Sequence, residues 1–136
     1  MSEKVYLAGR FSRRDEFKTL ADEIVAAGHQ VTSRWLYSDD HHLELDRAQL
    51  PAAAAAIRDL EDVRAATVCI AFTEEPEGPQ GRGGRHVELG AALALGMRVI
   101  VVGEPEHIFH LLPDVVQVGS AEAALAALGQ VTAVAA

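Results

Sequence analysis

TVCIAFTEEPEGPQGRGGRHVELGAALALGMRVIVVG, residues 67–103, holds the pattern on which the fold turns. Its first six residues form an unbroken apolar run of strand length, the mark of a strand buried on both faces. Residues 73–84 combine prolines with several glycines and make the longest evident loop. From Arg85 to Leu95 the spacing is helical, and Gly96 closes the helix. RVIVV at 98–102 is then a second apolar strand. Strand, loop, helix and strand within one such segment define a parallel βαβ unit with a right-handed crossover.

The same alternation extends in both directions. KVYLA at 4–8 is a strand that ends at Gly9, and residues 13–27 are helical, with Phe17, Leu20, Ile24 and Val25 on one face and Gly28 as cap. QVTSRW at 30–35 is rich in β-formers and reads as the second strand, followed by a polar loop from Tyr37 to Asp46. Residues 49–65 are helical, starting near Pro51, and the run Ala52–Ala56 reads as close helix packing. HIFHLL is a short helix, VVQV at 115–118 the fifth strand, and residues 120–128 a last helix with Ser120 as N-cap. Ala123 stands where a capping box would need Glu or Gln. Five strands alternating with helices predict an α/β three-layer sandwich, flavodoxin-like (Rossmann-like), with a parallel sheet ordered 2-1-3-4-5. Residues 1–136 form one domain, and the small apolar tail 130–136 frays or docks on a neighbour.

The chain carries 12 Lys plus Arg against 20 Asp plus Glu, a formal charge of −8, which argues against a nucleic acid polymer as partner. No stretch reaches about 18 uninterrupted apolar residues, so no membrane span is expected, and the opening residues lack the apolar core of a secretory signal. The single Cys69, inside an apolar run, reads as a small buried hydrophobe. A cytoplasmic location is expected. Yet Arg10, Arg13, Arg14, Arg34, Arg82 and Arg85 all fall at or near the carboxyl ends of the first three strands. That is where open parallel sheets bind ligands, at the switch between the first and third strands. An acidic body with a small basic mouth is the expectation, suited to a compact anion.

Two loops meet at that edge. Gly9-Arg10-Phe11-Ser12-Arg13-Arg14 follows the first strand, and Gly81-Arg82-Gly83-Gly84-Arg85-His86 leads into a helix. Glycines let backbone N–H groups approach an anion, the helix N-terminus adds favourable partial charge, and arginines supply paired donors. Neither P-loop nor dinucleotide fingerprint is present. Glu88 sits in the first turn of the helix before an apolar run, where it either complements the helix dipole or projects into the cleft as a nucleophile or acid–base group. Asp59 and Asp62, three apart, share a helix face that is either solvated or, for Asp59, catalytic. Trp35 either packs or stacks on a base. His86 either touches a phosphate or is exposed; His41 and His42 read as loop residues, and His107 and His110 as peripheral. No metal-ligand spacing appears, and neither metal nor cofactor is expected.

VYLAG near the start, DLEDVRAATVCIAF and GGRHVELGAALALGMRVIVVG together resemble the nucleoside 2-deoxyribosyltransferase family over residues 4–128. The GGRHVELG form is most similar to its nucleotide N-glycosidase branch, which hydrolyses CMP-type nucleotides and deoxynucleoside 5'-monophosphates. The resemblance implies Glu88 as the nucleophile at the anomeric carbon, Tyr6 as the residue that holds it, and Asp59 as the group that protonates or orients the base. It places Arg10, Ser12 and the Gly83-Gly84 turn at the sugar and phosphate, with Gly9, Arg13, Trp35, Arg85 and His86 as further substrate-binding candidates. Transferase members carry an aspartate six residues before the glutamate, where this chain has Arg82, which favours a phosphorylated substrate. The implied partner is a small nucleotide or nucleoside, the implied assembly a homodimer or higher homo-oligomer. The resemblance leaves two alternatives: base exchange by a transferase, and a nucleotide-binding module without turnover.

Overall fold

The computed structural model describes residues 2–38 and 50–130. In chain order the elements are β1 (Lys4–Ala8), α1 (Arg14–Ala26), β2 (Gln30–Val31), α2 (Leu50–Arg64), β3 (Val68–Phe72), α3 (Gly84–Ala94), β4 (Arg98–Val102), β5 (Val116–Val118) and α4 (Ala121–Leu128). Short 3-10 turns occupy Phe11–Arg13, Arg34–Tyr37 and Ile108–Leu111. The sheet is parallel throughout, in the order β2-β1-β3-β4-β5, as the alternation predicts. Helices α1 and α4 pack together on one face, α2 and α3 on the other. Every residue of β3 is buried, Cys69 included, because helices cover the strand on both sides.

The expected second strand, 30–35, is cut to two residues. Beyond Thr32, whose N–H still donates to the Val5 carbonyl at 2.8 Å, the edge of β1 is satisfied by side chains: Leu7 N–H donates to Ser33 Oγ at 2.6 Å, and the Trp35 indole N–H donates to the Leu7 carbonyl at 2.9 Å. Those bonds turn the chain inward into the 3-10 turn and sink Trp35 to 2% exposure. β-propensity marked the segment correctly as extended-prone, but the hydrogen-bonding side chains at 33 and 35 ended it.

Helix faces also needed correction. Phe17, Leu20 and Ile24 are buried, whereas Val25, about 100° further round the helix than Ile24, is exposed. On α2 the inward stripe is Ala55, Asp59, Asp62 and Val63, while Ile57 is exposed. Ala53, Ala54 and Ala56 are exposed, so of the alanine run only Ala55 shows close packing among the residues whose side chains are described. Ser120 caps α4 as expected, its hydroxyl accepting from Ala123 N–H at 3.1 Å. Residues 39–49, with His41 and His42, and the tail 131–136 lie outside the described residues.

Gly9 ends β1 for a steric reason. A Cβ placed there would lie 2.4 Å from Phe17 Cε2, inside a ring that packs against Phe72 and Trp35 and is wholly buried. The ring has nowhere to move, so Gly9→Ala is expected to destabilise the fold by about 1–3 kcal/mol, the usual cost of overpacking. Urea denaturation of wild type and variant measures it; an unchanged midpoint would show that the core yields freely at Phe17.

Candidate active site

Three elements converge on one carboxylate. Tyr6 of β1 and Cys69 of β3 are register partners, and both side chains face α3. The Tyr6 hydroxyl, at the end of a wholly buried ring, donates a hydrogen bond to Glu88 Oε2. Asp59 reaches the same region from α2 and is only 7% exposed. Its carboxylate lies 3.3 Å from the Arg58 guanidinium. The spacing of Glu88 along α3 points it at the sheet rather than at solvent, and the residue is half-buried.

Burial pushes the Glu88 carboxyl up, the Tyr6 hydrogen bond pulls it down, and the Asp59 charge raises it again; the balance lies at about 8. Tyr6 is driven further into its neutral form, first by burial and then by the charge of Glu88. A neutral phenol donor, a carboxyl held near neutrality and a second buried carboxylate therefore share one face of the sheet. A buried carboxyl with a perturbed titration beside a fixed donor is the pattern of acid–base and nucleophilic sites. Helix-dipole stabilisation alone does not account for a carboxyl so placed, since a solvated first-turn glutamate needs no buried tyrosine.

The two expected loops do come together. The loop 81–84 lies against the loop after β1, where a Cβ on Gly81 would stand 3.4 Å from Arg10 Cγ. Gly83 has φ +93°, which favours glycine, and its carbonyl accepts from His86 N–H as the N-cap of α3. Gly83 brings no side-chain cap of its own. Gly84 opens the helix, and Ser12 is exposed on the facing 3-10 turn.

The basic mouth, however, is largely neutralised. Arg13 donates to Glu16 at 2.7 Å, to Glu74 and to the Thr73 carbonyl. Arg85, 7% exposed, forms a two-pronged pair with Glu106 at 2.5 and 2.7 Å. Arg34 is held by Asp62 at 2.8 Å, and Arg14 lies over the Phe11 ring while donating to the Ser38 carbonyl. Arg13 and Arg85 are thus corrected from anion ligands to ties between loops. Arg10 differs: its contact with Glu74 is long, 3.9 Å, and Arg13 already holds that carboxylate. The face carrying Asp59 and Asp62 is buried, not solvated, with Asp62 accepting from Arg34 N–H at 3.0 Å. Trp35 is corrected too. Its ring packs on Phe11 and Phe17, and its N–H is taken by Leu7, so the packing reading holds and base stacking does not.

Sequence reasoning passed over Glu74 and Glu106, whose charges organise the mouth. It also set His107 and His110 aside as peripheral. In the fold His110 is 1% exposed, and His107 Nε2 lies 3.1 Å from His86 Nδ1. The i, i+3 spacing of His107 and His110 was the available signal, but His86 joins them only through the fold. A cavity of about 390 Å³, bounded by Arg13, Thr73, Glu74, Gly103 and Gly119 among others, opens at the ends of β3, β4 and β5. Glu88 does not line it. Glu88, hydrogen-bonded to Tyr6 with the charge of Asp59 nearby, is the candidate for chemistry rather than this cavity.

Among solved structures, the chain is similar to a CMP N-glycosidase, BcmB, from Clostridium botulinum, at 21% identity and TM-score 0.54, covering 92% of this chain and 97% of that one. It is also similar to a 2-deoxyribosyltransferase from Bacillus psychrosaccharolyticus, at 17% identity and TM-score 0.65, covering 96% of this chain and 94% of that one. No family model matches the sequence, and no curated protein is a significant match. These likenesses establish the flavodoxin-like fold over nearly the whole chain. The two neighbours carry the two activities that the sequence resemblance implies.

Proposed function

We propose that the protein is an enzyme of the nucleoside 2-deoxyribosyltransferase type that hydrolyses the N-glycosidic bond of a nucleoside 5'-monophosphate. The observation that carries the reading is the Tyr6–Glu88 pair with Asp59 beside it. Glu88, ionised, attacks the anomeric carbon; the C–N bond breaks and its electrons leave with the base, which Asp59 orients and which takes a proton from water. The hydroxide left by that water attacks the glycosyl ester and returns Glu88 as carboxylate. Tyr6 keeps the attacking carboxylate in one orientation. Arg10, Ser12 and the N–H groups at Gly83 and Gly84 receive the phosphate. Arg82, where transferases carry an aspartate, supports hydrolysis over base exchange.

The same reading includes a homodimer or higher homo-oligomer in the cytoplasm acting on a small nucleotide. Ile108, Phe109 and Leu111 are exposed together and support self-association. No helix among the described residues is long and apolar enough to cross a membrane.

Chromatography of a nucleotide and deoxynucleotide panel, with and without an acceptor base, tests the reading. Free base and sugar phosphate are the expected products. A new nucleoside appearing only with acceptor would establish transfer instead, and no turnover of any substrate would leave a binding module. The pH profile is a second test. Because the nucleophile must be ionised and the free carboxyl is held at about 8, kcat/KM is expected to rise with pH until about 8. A profile that falls across this range would assign Glu88 as an acid.

A further inference from the structure

We propose that His86, His107 and His110 bind one divalent transition metal ion of the zinc type, which ties the segment after β4 to the first turn of α3. One ring nitrogen from each lies within 4.8 Å of the other two. His86 Nδ1 and His107 Nε2 stand 3.1 Å apart. Two nitrogens on one tetrahedral ion, each about 2.0–2.1 Å from it, are separated by about 3.3 Å. The existing pair is therefore close to that spacing, and modest ring rotations would turn the two lone pairs from the hydrogen-bond axis toward one ion beside it.

The surroundings are built for the task. His86 Nε2 lies 3.9 Å from Glu106 Oε2, beyond hydrogen-bond distance but close enough that a small ring rotation would give the carboxylate–histidine pair that orients metal-bound imidazoles. Glu106 is itself fixed by both guanidinium nitrogens of Arg85. His110 accepts the Glu106 backbone N–H at Nδ1, 2.9 Å, which sets its ring and leaves Nε2 for the ion. His107 stacks on His110 at 3.8 Å between ring centroids, and its Nδ1 is buried without a partner. Capture of the ion exchanges the Nε2 protons of His107 and His110 for metal bonds and releases them to solvent or, for His107, to Nδ1. Imidazole ligands, with no thiolate, select Zn²⁺, Co²⁺, Ni²⁺ or Cu²⁺ over the hard cations.

The probes are Zn²⁺ and Co²⁺ added to full-length protein freed of metal with a chelator. Calorimetry with Zn²⁺ is expected to show one ion per chain, and Co²⁺ the visible absorption of a nitrogen-ligated ion of low coordination number. Thermal unfolding is expected to shift upward with Zn²⁺ concentration. His86→Ala and His107→Ala, neither fully buried, should each weaken Zn²⁺ binding by about 10–100-fold and abolish the thermal shift. Circular dichroism of both variants without metal establishes that they fold. No stoichiometric Zn²⁺ binding, or binding unchanged in the His86→Ala, His107→Ala double variant, would overturn the proposal. These readouts do not depend on turnover, so their outcome is separate from that of the glycosidase reading.

Discussion

Replacing Glu88 by alanine is expected to lower kcat/KM for base release from a nucleoside 5'-monophosphate by about 10³–10⁴-fold. Glu88→Gln should lose as much, since the amide accepts the Tyr6 hydrogen bond and fills the same space but cannot attack carbon. Tyr6→Phe should lose less, about 10–100-fold, because it frees the carboxylate without removing it. The ordering separates a nucleophile from a structural carboxyl. If wild type and both Glu88 variants release base at the same rate, the assignment is wrong.

Stability should move the other way. The folded carboxyl of Glu88 titrates at about 8, above its ordinary value of 4.5. Folding therefore favours the protonated form. Its contribution is fully present below the unfolded pKa and is lost as pH rises through the folded one. Glu88→Gln, which never ionises, is expected to melt above wild type at alkaline pH and to converge with it in mild acid. A site optimised for reaction at the expense of stability behaves in this way.

Trp35→Ala carries the second large effect, on folding. The ring is 2% exposed, stacks obliquely on Phe11 at 6.1 Å and edge-on to Phe17 at 6.2 Å, and caps the Leu7 carbonyl through its N–H. Truncation leaves a cavity and an unpaired buried carbonyl, which together cost about 3–5 kcal/mol. Chemical denaturation measures the loss. Retention of wild-type stability with a raised KM for nucleotide would instead return Trp35 to the substrate.

Much of the fold was legible along the chain because it rests on local signals. The apolar runs at 4–8, 67–72 and 98–102, the helical spacing between them and the Pro/Gly-rich loop at 73–84 each carry their own physical signature. Where two signals competed, the longer-range one prevailed. Residues 30–35 have β-forming side chains, but Ser33 and Trp35 found partners on Leu7 and turned the strand into a 3-10 turn. On α2 Ile57 is exposed while Asp62, paired with Arg34, is buried, an inversion of hydropathy that depends on a partner 28 residues away.

The site divides in the same manner. Glu88 stood out by itself, as a carboxylate in the first turn of a helix otherwise small and apolar. Charge counting foresaw arginines at the strand ends, but not that Glu74 and Glu106 would claim Arg13 and Arg85. Those carboxylates lie 61 and 21 residues away in sequence from the arginines they bind. The histidines illustrate the limit most plainly, since His86 and His107 are 21 residues apart yet in hydrogen-bond contact. By itself the sequence determined the α/β class and the strand order and singled out Glu88 as the candidate carboxylate, because periodicity, turn chemistry and a local charge in an apolar run act over a few residues. Only the tertiary structure decided which charges remain available and which rings meet, because pairing and burial depend on residues that folding brings together from distant parts of the chain.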